Sequence, residues 1–276
     1  MLMSPQGQST EVFTGIVAVM KAAREVPANS AAEPTPAAMG ECDVVGPSRA
    51  RDILSSIGWL SMQPEDFQGE VFRRAVPVKF RAGDVIYRIG DAPGGVYGFV
   101  SGAVTASVAP PNALPRLLHV LTPGGWTGEA SFLSRQPRRI GLQAAIETSA
   151  VYLPLDQMDQ MAGRDPMATR RFTQIMMMNL DLVLRAFYDL QEPHEHRRIA
   201  RALRRVAALE NTPVPLAQAA LGMLANASRK TVNLALRRFT ERGWVKAAYR
   251  SVIITDLKGL SRYAEGGQDE SRSPFS

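Results

Sequence analysis

Cysteine is nearly absent. Cys42 is the only one in 276 residues, and it lies in a low-complexity stretch. This excludes a disulfide framework, a cysteine-ligated zinc site and a four-cysteine iron–sulfur cluster. Histidine is scarce as well: His119, His194 and His196 make up the set, and the last two flank Glu195 just after Pro193, which reads as a solvated turn rather than a metal site. No apolar run approaches the ~20 residues needed to cross a bilayer, so no membrane partner is expected. No charged-then-apolar leader with a small-residue cleavage site opens the chain, and a cytoplasmic location is expected. There is no nucleophile–base pair, metal-ligand spacing or phosphate-binding loop; Gly94-Gly95 and Gly124-Gly125 read as turns. An enzyme is therefore not expected.

Acidic residues run short in the C-terminal third. From His194 to Ser276 there are 15 Lys+Arg against 7 Asp+Glu, a net of +8, whereas residues 1–193 carry 17 and 19, a net of −2. A compact basic module implies a polyanionic partner, most simply nucleic acid. The length suits about two domains. Residues 1–47, rich in Ala, Pro, Ser and Gly, bury too little to offset ordering entropy and are expected to be disordered, apart from a short helix at Glu11–Arg24.

The chain is organised around residues 165–192. Asp165 is a good N-cap, Pro166 suits the first helical position, and the next Pro or Gly is the stop at Pro193. One apolar row runs Phe172, Met176, Val183, Ala186, Leu190 with Asn179 in the seam; a second runs Ile175, Met178, Leu182, Phe187. Two apolar faces need two covers, the preceding domain and a second copy of the chain, with Asn179 a register-setting polar residue.

Two helices are expected before this rod, at Arg49–Trp59 and Pro64–Arg74. From Val76 to Val151 come short β-like runs (VPVKF, DVIYRI, GVYGFV, AVTASVA, RLLHVLT, GLQAAI, AVYLPL) broken by Gly and Pro, the spacing of an all-β roll. The stretch from Phe80 to Asp91, followed by Val96 to Gly102, resembles the cyclic-nucleotide-binding β-roll of the Crp/Fnr transcription regulators. Gly83, Gly90 and Gly102 take the turns, where positive φ is cheap only for Gly.

In that family the ligand loop reads Gly-Glu-(small)-(small), then Arg-(Ser/Thr)-Ala. The matching positions here are Gly128, Glu129, Ala130 and Ser131, then Arg138, Arg139 and Ile140. The resemblance implies that Glu129 accepts from a ribose hydroxyl, Arg138 pairs with a cyclic phosphate, and N–H groups around Gly128–Ala130 add donors. The chain departs from the pattern at Arg139, at Ile140, and at the base-reading positions of the long helix, which are Val183 and Leu184. Cyclic AMP and cyclic GMP are thus expected to bind weakly or not at all. The alternatives left open are a cyclic nucleotide, another small effector, or a Glu129–Arg138 salt bridge with no ligand. Trp126 reads as a core aromatic and His119 as a satisfied strand histidine.

After Pro193, an amphipathic helix carries Arg197, Arg198, Arg201, Arg204 and Arg205 without matching acids beside them, which suggests phosphate proximity. Residues 215–239 resemble a helix-turn-helix. Leu221, Leu224, Val232 and Leu236 form its core, Gly222 lies at the helix crossing, and Asn226 occupies the turn. Ser228 caps the second helix and sets Arg229, Lys230 and Thr231 on the turn that enters the major groove, with Asn233 and Arg237 further along the same helix. Residues 243–256 resemble a wing. Lys230 and Leu234 depart from the family's usual recognition residues, so the half-site bases do not carry over.

The expected architecture is α+β: a jelly-roll sensor (48–164), a dimerisation helix (165–192), a winged helix-turn-helix (193–262) and a disordered tail (263–276). The expected function is a sequence-specific, homodimeric regulator binding double-stranded DNA and RNA polymerase. The rival from another class is a cyclic-nucleotide-binding module acting on a protein partner.

Overall fold

The computed structural model of the chain describes residues 46–109, 113, 115–207, 213–214, 216–248 and 251–266. The expected helix at Glu11–Arg24 lies outside the described residues, as do Pro215, the wing tip Tyr249–Arg250 and residues 267–276.

Helices α1 (Pro47–Ser56) and α2 (Glu65–Arg74) lead into the roll. Then come β1 (Val76–Phe80), β2 (Val85–Tyr87), β3 (Val96–Ser101), β4 (Val104–Val108), β5 (Arg116–Leu121), β6 (Trp126–Thr127), the short helix α3 (Glu129–Ser134), β7 (Gly141–Ala144) and β8 (Thr148–Leu153). They build two four-stranded antiparallel sheets, ordered β1-β8-β3-β6 and β2-β7-β4-β5. This is the expected jelly roll. Gly83, Gly90 and Gly102 turn it at φ of 89°, 88° and 86°.

The two-residue periodicity of β3 sorts its side chains. Tyr97 and Phe99 point between the sheets, with Ile86, Tyr87, Val104 and Leu142. Val96 and Val100 point outward onto Trp59, Phe67, Phe132 and Phe172. Helices α4 (Leu155–Arg164) and α5 (Pro166–Leu190) close that outer face. Neither β6 nor α3 was expected from the sequence, because elements of two and six residues are too short for a period to register.

The Asp165 side chain caps α5 by accepting from Met167 N at 2.9 Å. Trp59 Nε1 donates to Arg171 O at 2.8 Å and ties the rod to the roll. The stripe facing the chain's own body is Ala168, Phe172, Ile175, Asn179, Leu182 and Ala186, all buried or half-buried. This corrects the rows drawn from sequence. Met176, Val183 and Leu190, grouped there with Phe172, are exposed, and Asn179 sits in the stripe that packs on its own roll. At the ambiguous i+3 or i+4 steps the sequence reading chose the wrong neighbour, and only packing decides between them. The opposite face carries Met177, Leu180, Leu184 and Phe187, which are 49%, 45%, 55% and 65% exposed in the single chain.

Residues 191–194 join α5 to the C-terminal module: α6 (Glu195–Val206), β9 (Pro213–Val214), α7 (Gln218–Ala225), α8 (Arg229–Glu241), β10 (Val245–Ala248), β11 (Ser251–Ile254) and α9 (Leu257–Ala264). The strands form a sheet ordered β10-β11-β9. The expected boundary at 262 cuts through α9. Asp256 caps this helix by accepting from Gly259 N at 2.8 Å, and Leu260 and Ala264 are fully buried, so residues 263 and 264 belong to the module. The module docks on the roll: Ala103 and Val120 share one apolar core with Ile199, Leu221 and Leu224.

Candidate nucleic-acid interface and effector cavity

The turn between α7 and α8 is short because Asn226 accepts a left-handed conformation at φ 45°. Gly222 is required there, since a β-carbon would lie 2.8 Å from Ala227 O. Ser228 Oγ then accepts from Thr231 N at 3.1 Å and starts α8. Val232, Ala235, Leu236 and Phe239 fill the module's core. The opposite face therefore presents Arg229, Lys230, Asn233 and Arg237, all exposed. Among the described residues, Arg229, Lys230 and Arg237 form no ion pair.

Two cations on the first turn of a helix oppose its dipole, an arrangement that costs about 0.3–1 kcal/mol unless an anion neutralises them. Thr231 departs from the expected set. It is half-buried, and its hydroxyl donates to Glu195 Oε2 at 3.1 Å, so it braces α8 on α6.

Four of the five α6 arginines have partners that their own helix did not announce. Arg198 donates to the carbonyls of Ala225 (2.9 Å) and Asn226 (3.0 Å) and so bolts α6 to the turn. Arg201 pairs with Glu192 at 3.0 Å, Arg204 with Glu265 at 2.6 Å, and Arg205 with Asp189. Their acids lie at the end of α5 and beyond α9, outside the window in which sequence reading looked for partners.

The second site lies between the roll and α5. A cavity of about 300 Å³ is lined by Gly128, Glu129, Ala130, Ser131, Arg138, Arg139 and Ile140, so the five expected effector residues come together. Val183 lines it as well, and Leu118, Leu121, Met176 and Leu180 make most of the remaining wall apolar. Glu129 is buried. Its Oε1 accepts from Asn179 Nδ2 of α5 at 3.1 Å, and its Oε2 has no partner. Burial pushes its carboxyl above the usual range.

Arg138 is 6% exposed, stacks over Tyr87 at 4.2 Å, and donates to the carbonyls of Gly95 (2.9 Å) and Gly128 (3.1 Å). Two glycines make room for it, Gly94, read as a turn, and Gly128, expected in the ligand loop: a β-carbon on Gly94 would lie 2.4 Å from Arg138 Nη2, and one on Gly128 2.9 Å from Nη1. Glu129 and Arg138 do not form an ion pair, so the salt bridge held open from sequence is not what joins them. Arg139 is exposed at the rim.

His119 also lines this cavity, and here the expectation fails. The residue is 7% exposed, yet its Nδ1 is enclosed without a partner. Burial and the nearby Arg205 lower its pKa to about 4, so the imidazole is neutral. Strand alternation put His119 on a face but carried no information about what opposes it. Trp126 is buried in the core as expected, edge-on to Trp59 at 5.0 Å.

Comparison with known proteins supplies independent findings. Residues 77–165 match the model of the cyclic nucleotide-binding domain, and residues 197–263 match that of the Crp-like helix-turn-helix domain. A CRP-like cAMP-activated global transcriptional regulator of Mycobacterium tuberculosis is 27% identical over 196 residues, covering 68% of this chain and 88% of that one. The transcriptional activator protein FnrA of Stutzerimonas stutzeri is 23% identical over 218 residues, covering 76% and 88%. Among solved structures, FixK2 of Bradyrhizobium japonicum superposes with a TM-score of 0.58 at 20% identity, covering 68% of this chain and 96% of that one. A putative cyclic nucleotide binding protein of Ruegeria pomeroyi gives 0.61 at 17%, covering 79% and 98%. No helix of the described residues is long and apolar enough to cross a membrane.

Proposed function

Because this chain belongs to the Crp/Fnr family of DNA-binding transcription regulators, we infer that it acts as a homodimer which sets two copies of α8 into successive major grooves. The family is one of regulators, not of enzymes. The observation that carries the reading is the α8 face: a capped helix start whose exposed side offers Arg229, Lys230, Asn233 and Arg237 and buries none of them. Arginine and lysine suit phosphate or guanine, and asparagine suits adenine.

The exposed apolar stripe on α5, including Leu180, Leu184 and Phe187, is of a kind that monomers rarely leave uncovered. A second copy would cover it and place the two half-sites about one helical turn apart. RNA polymerase is the expected further partner. The rival module acting on a protein partner is disfavoured, since nothing in that role requires the α7–α8 unit. Genomic footprinting tests the assignment. Discrete protected sites with two-fold symmetry are expected, and uniform background would refute it.

Against the weak cyclic-nucleotide binding expected from Arg139, Ile140, Val183 and Leu184, the roll is read as an effector site for a small organic anion bearing a hydroxyl, with a cyclic nucleotide as the class. Glu129 Oε2 lacks a donor and Arg138 lacks an anion, which are the two partners a cyclic phosphate fused to a ribose brings. The Mycobacterium tuberculosis relative is described as cAMP-activated. Calorimetry with cyclic AMP and cyclic GMP is the test. Heat lost in Glu129→Ala supports the reading, and no heat with either nucleotide sinks it.

A further inference from the structure

A nucleotide in this cavity presents three chemical faces: an anion, a sugar hydroxyl and the polar edge of a base. Arg138 and Glu129 answer the first two. On the long helix, Val183 offers no hydrogen bond at the cavity wall, and Leu184 beside it in sequence offers none either. A polar edge buried against aliphatic side chains loses its water without replacement.

One polar side chain on the apolar side of the cavity is left over. His119, on β5, is enclosed among Leu118, Leu121 and Ile140 in the cavity lining, and its Nδ1 has no partner. A native protein seldom keeps such a group buried without a use for it. The positive charge of Arg205 on α6, held by Asp189, acts on the ring along with its burial. A fixed cation there opposes protonation, so the ring keeps one donor and one acceptor and can meet an uncharged ligand edge.

We propose that His119 is the specificity-determining residue of the cavity, reading the uncharged hydrogen-bonding edge of a purine from strand β5, a task for which Val183 and Leu184 of the long helix carry no polar group and Asn179 is already committed to Glu129 and Trp126. The inference rests on the effector reading above. It adds that recognition of the base comes from strand β5 of the chain's own roll.

The test uses the full chain with cyclic AMP and cyclic GMP as probes, in wild type, His119→Leu and His119→Gln. Calorimetry gives the affinities, and the imidazole signals of histidine-labelled protein report the ring itself. The expected result is a loss of about tenfold in His119→Leu for the nucleotide that binds, recovered at least in part by His119→Gln, with the His119 signal moving on titration. Thermal unfolding should show His119→Leu at least as stable as wild type, because it removes an unpartnered buried group. Unchanged affinity in His119→Leu, or an unmoved His119 signal, overturns the inference and leaves the effector reading standing. No binding by wild type overturns both.

Discussion

Replacing Arg229 by Ala isolates the electrostatic contribution of the first turn of α8. The side chain is exposed and makes no ion pair among the described residues, so its loss removes little from the fold. Removing a cation from a helix start should even stabilise α8 slightly, by about 0.3–1 kcal/mol. If Arg229 meets a phosphate, a dimer loses two such contacts. Each phosphate neutralised adds about 0.9 to the slope of log affinity against log salt, so the slope should fall by about 1.8. Over a fourfold rise in salt, for example from about 50 to about 200 mM, wild type should lose about tenfold more affinity than the variant. Fluorescence anisotropy measures this on a labelled duplex of any sequence, because phosphate contacts also operate on non-specific DNA. An unchanged slope together with unchanged affinity at low salt would refute the placement of this turn against DNA. A lowered melting temperature would instead mean that Arg229 has a structural partner, contrary to the geometry.

Three further outcomes are expected. Arg198→Met should destabilise the DNA-binding module by about 1–3 kcal/mol while leaving the salt slope intact, since it unpartners the carbonyls of Ala225 and Asn226 and touches no phosphate; chemical denaturation and anisotropy together check this. His119 has a folded pKa near 4 against an ordinary 6.5, so between those values the unfolded chain binds more protons. Its contribution is complete above about pH 6.5 and is lost as pH falls towards 4, at most roughly 3 kcal/mol. Thermal melts of wild type should fall more steeply across that window than those of His119→Leu, and parallel curves would contradict the burial of a neutral ring. Phe187→Asp, on the exposed face of α5, should give a monomer by light scattering at micromolar concentration and weaken binding to a two-half-site fragment far more than to non-specific duplex. A persistent dimer would move the interface elsewhere.

Several features were legible because each is local. Strand runs bounded by glycine turns, the Asp165 cap, the Ser228 cap and the left-handed Asn226 all depend on residues within a few positions of one another. The effector residues were legible through resemblance, and the fold does gather Gly128, Glu129, Ala130, Arg138 and Arg139 around one cavity. Thr231 is expected at DNA because it shares a turn with Arg229, yet its hydroxyl is engaged by Glu195 on another helix.

The misreadings share one cause. Arg201, Arg204 and Arg205 look unpaired within their own helix, and their acids arrive from Glu192, Glu265 and Asp189 outside it; Arg198 pairs with Glu195 of its own helix but also holds carbonyls of the turn before α8. His119 looks satisfied on its strand, and whether a partner faces it depends on α5, α6 and the opposite sheet.

By itself the sequence determined the elements, their order and the chemistry on offer, since backbone periodicity, caps and turn residues act over a few positions. Tertiary structure alone decided which face of α5 is covered, which cations stay free, and which buried polar atoms are left wanting a ligand. Those outcomes depend on desolvation and on partners brought together from distant parts of the chain, which no local pattern encodes.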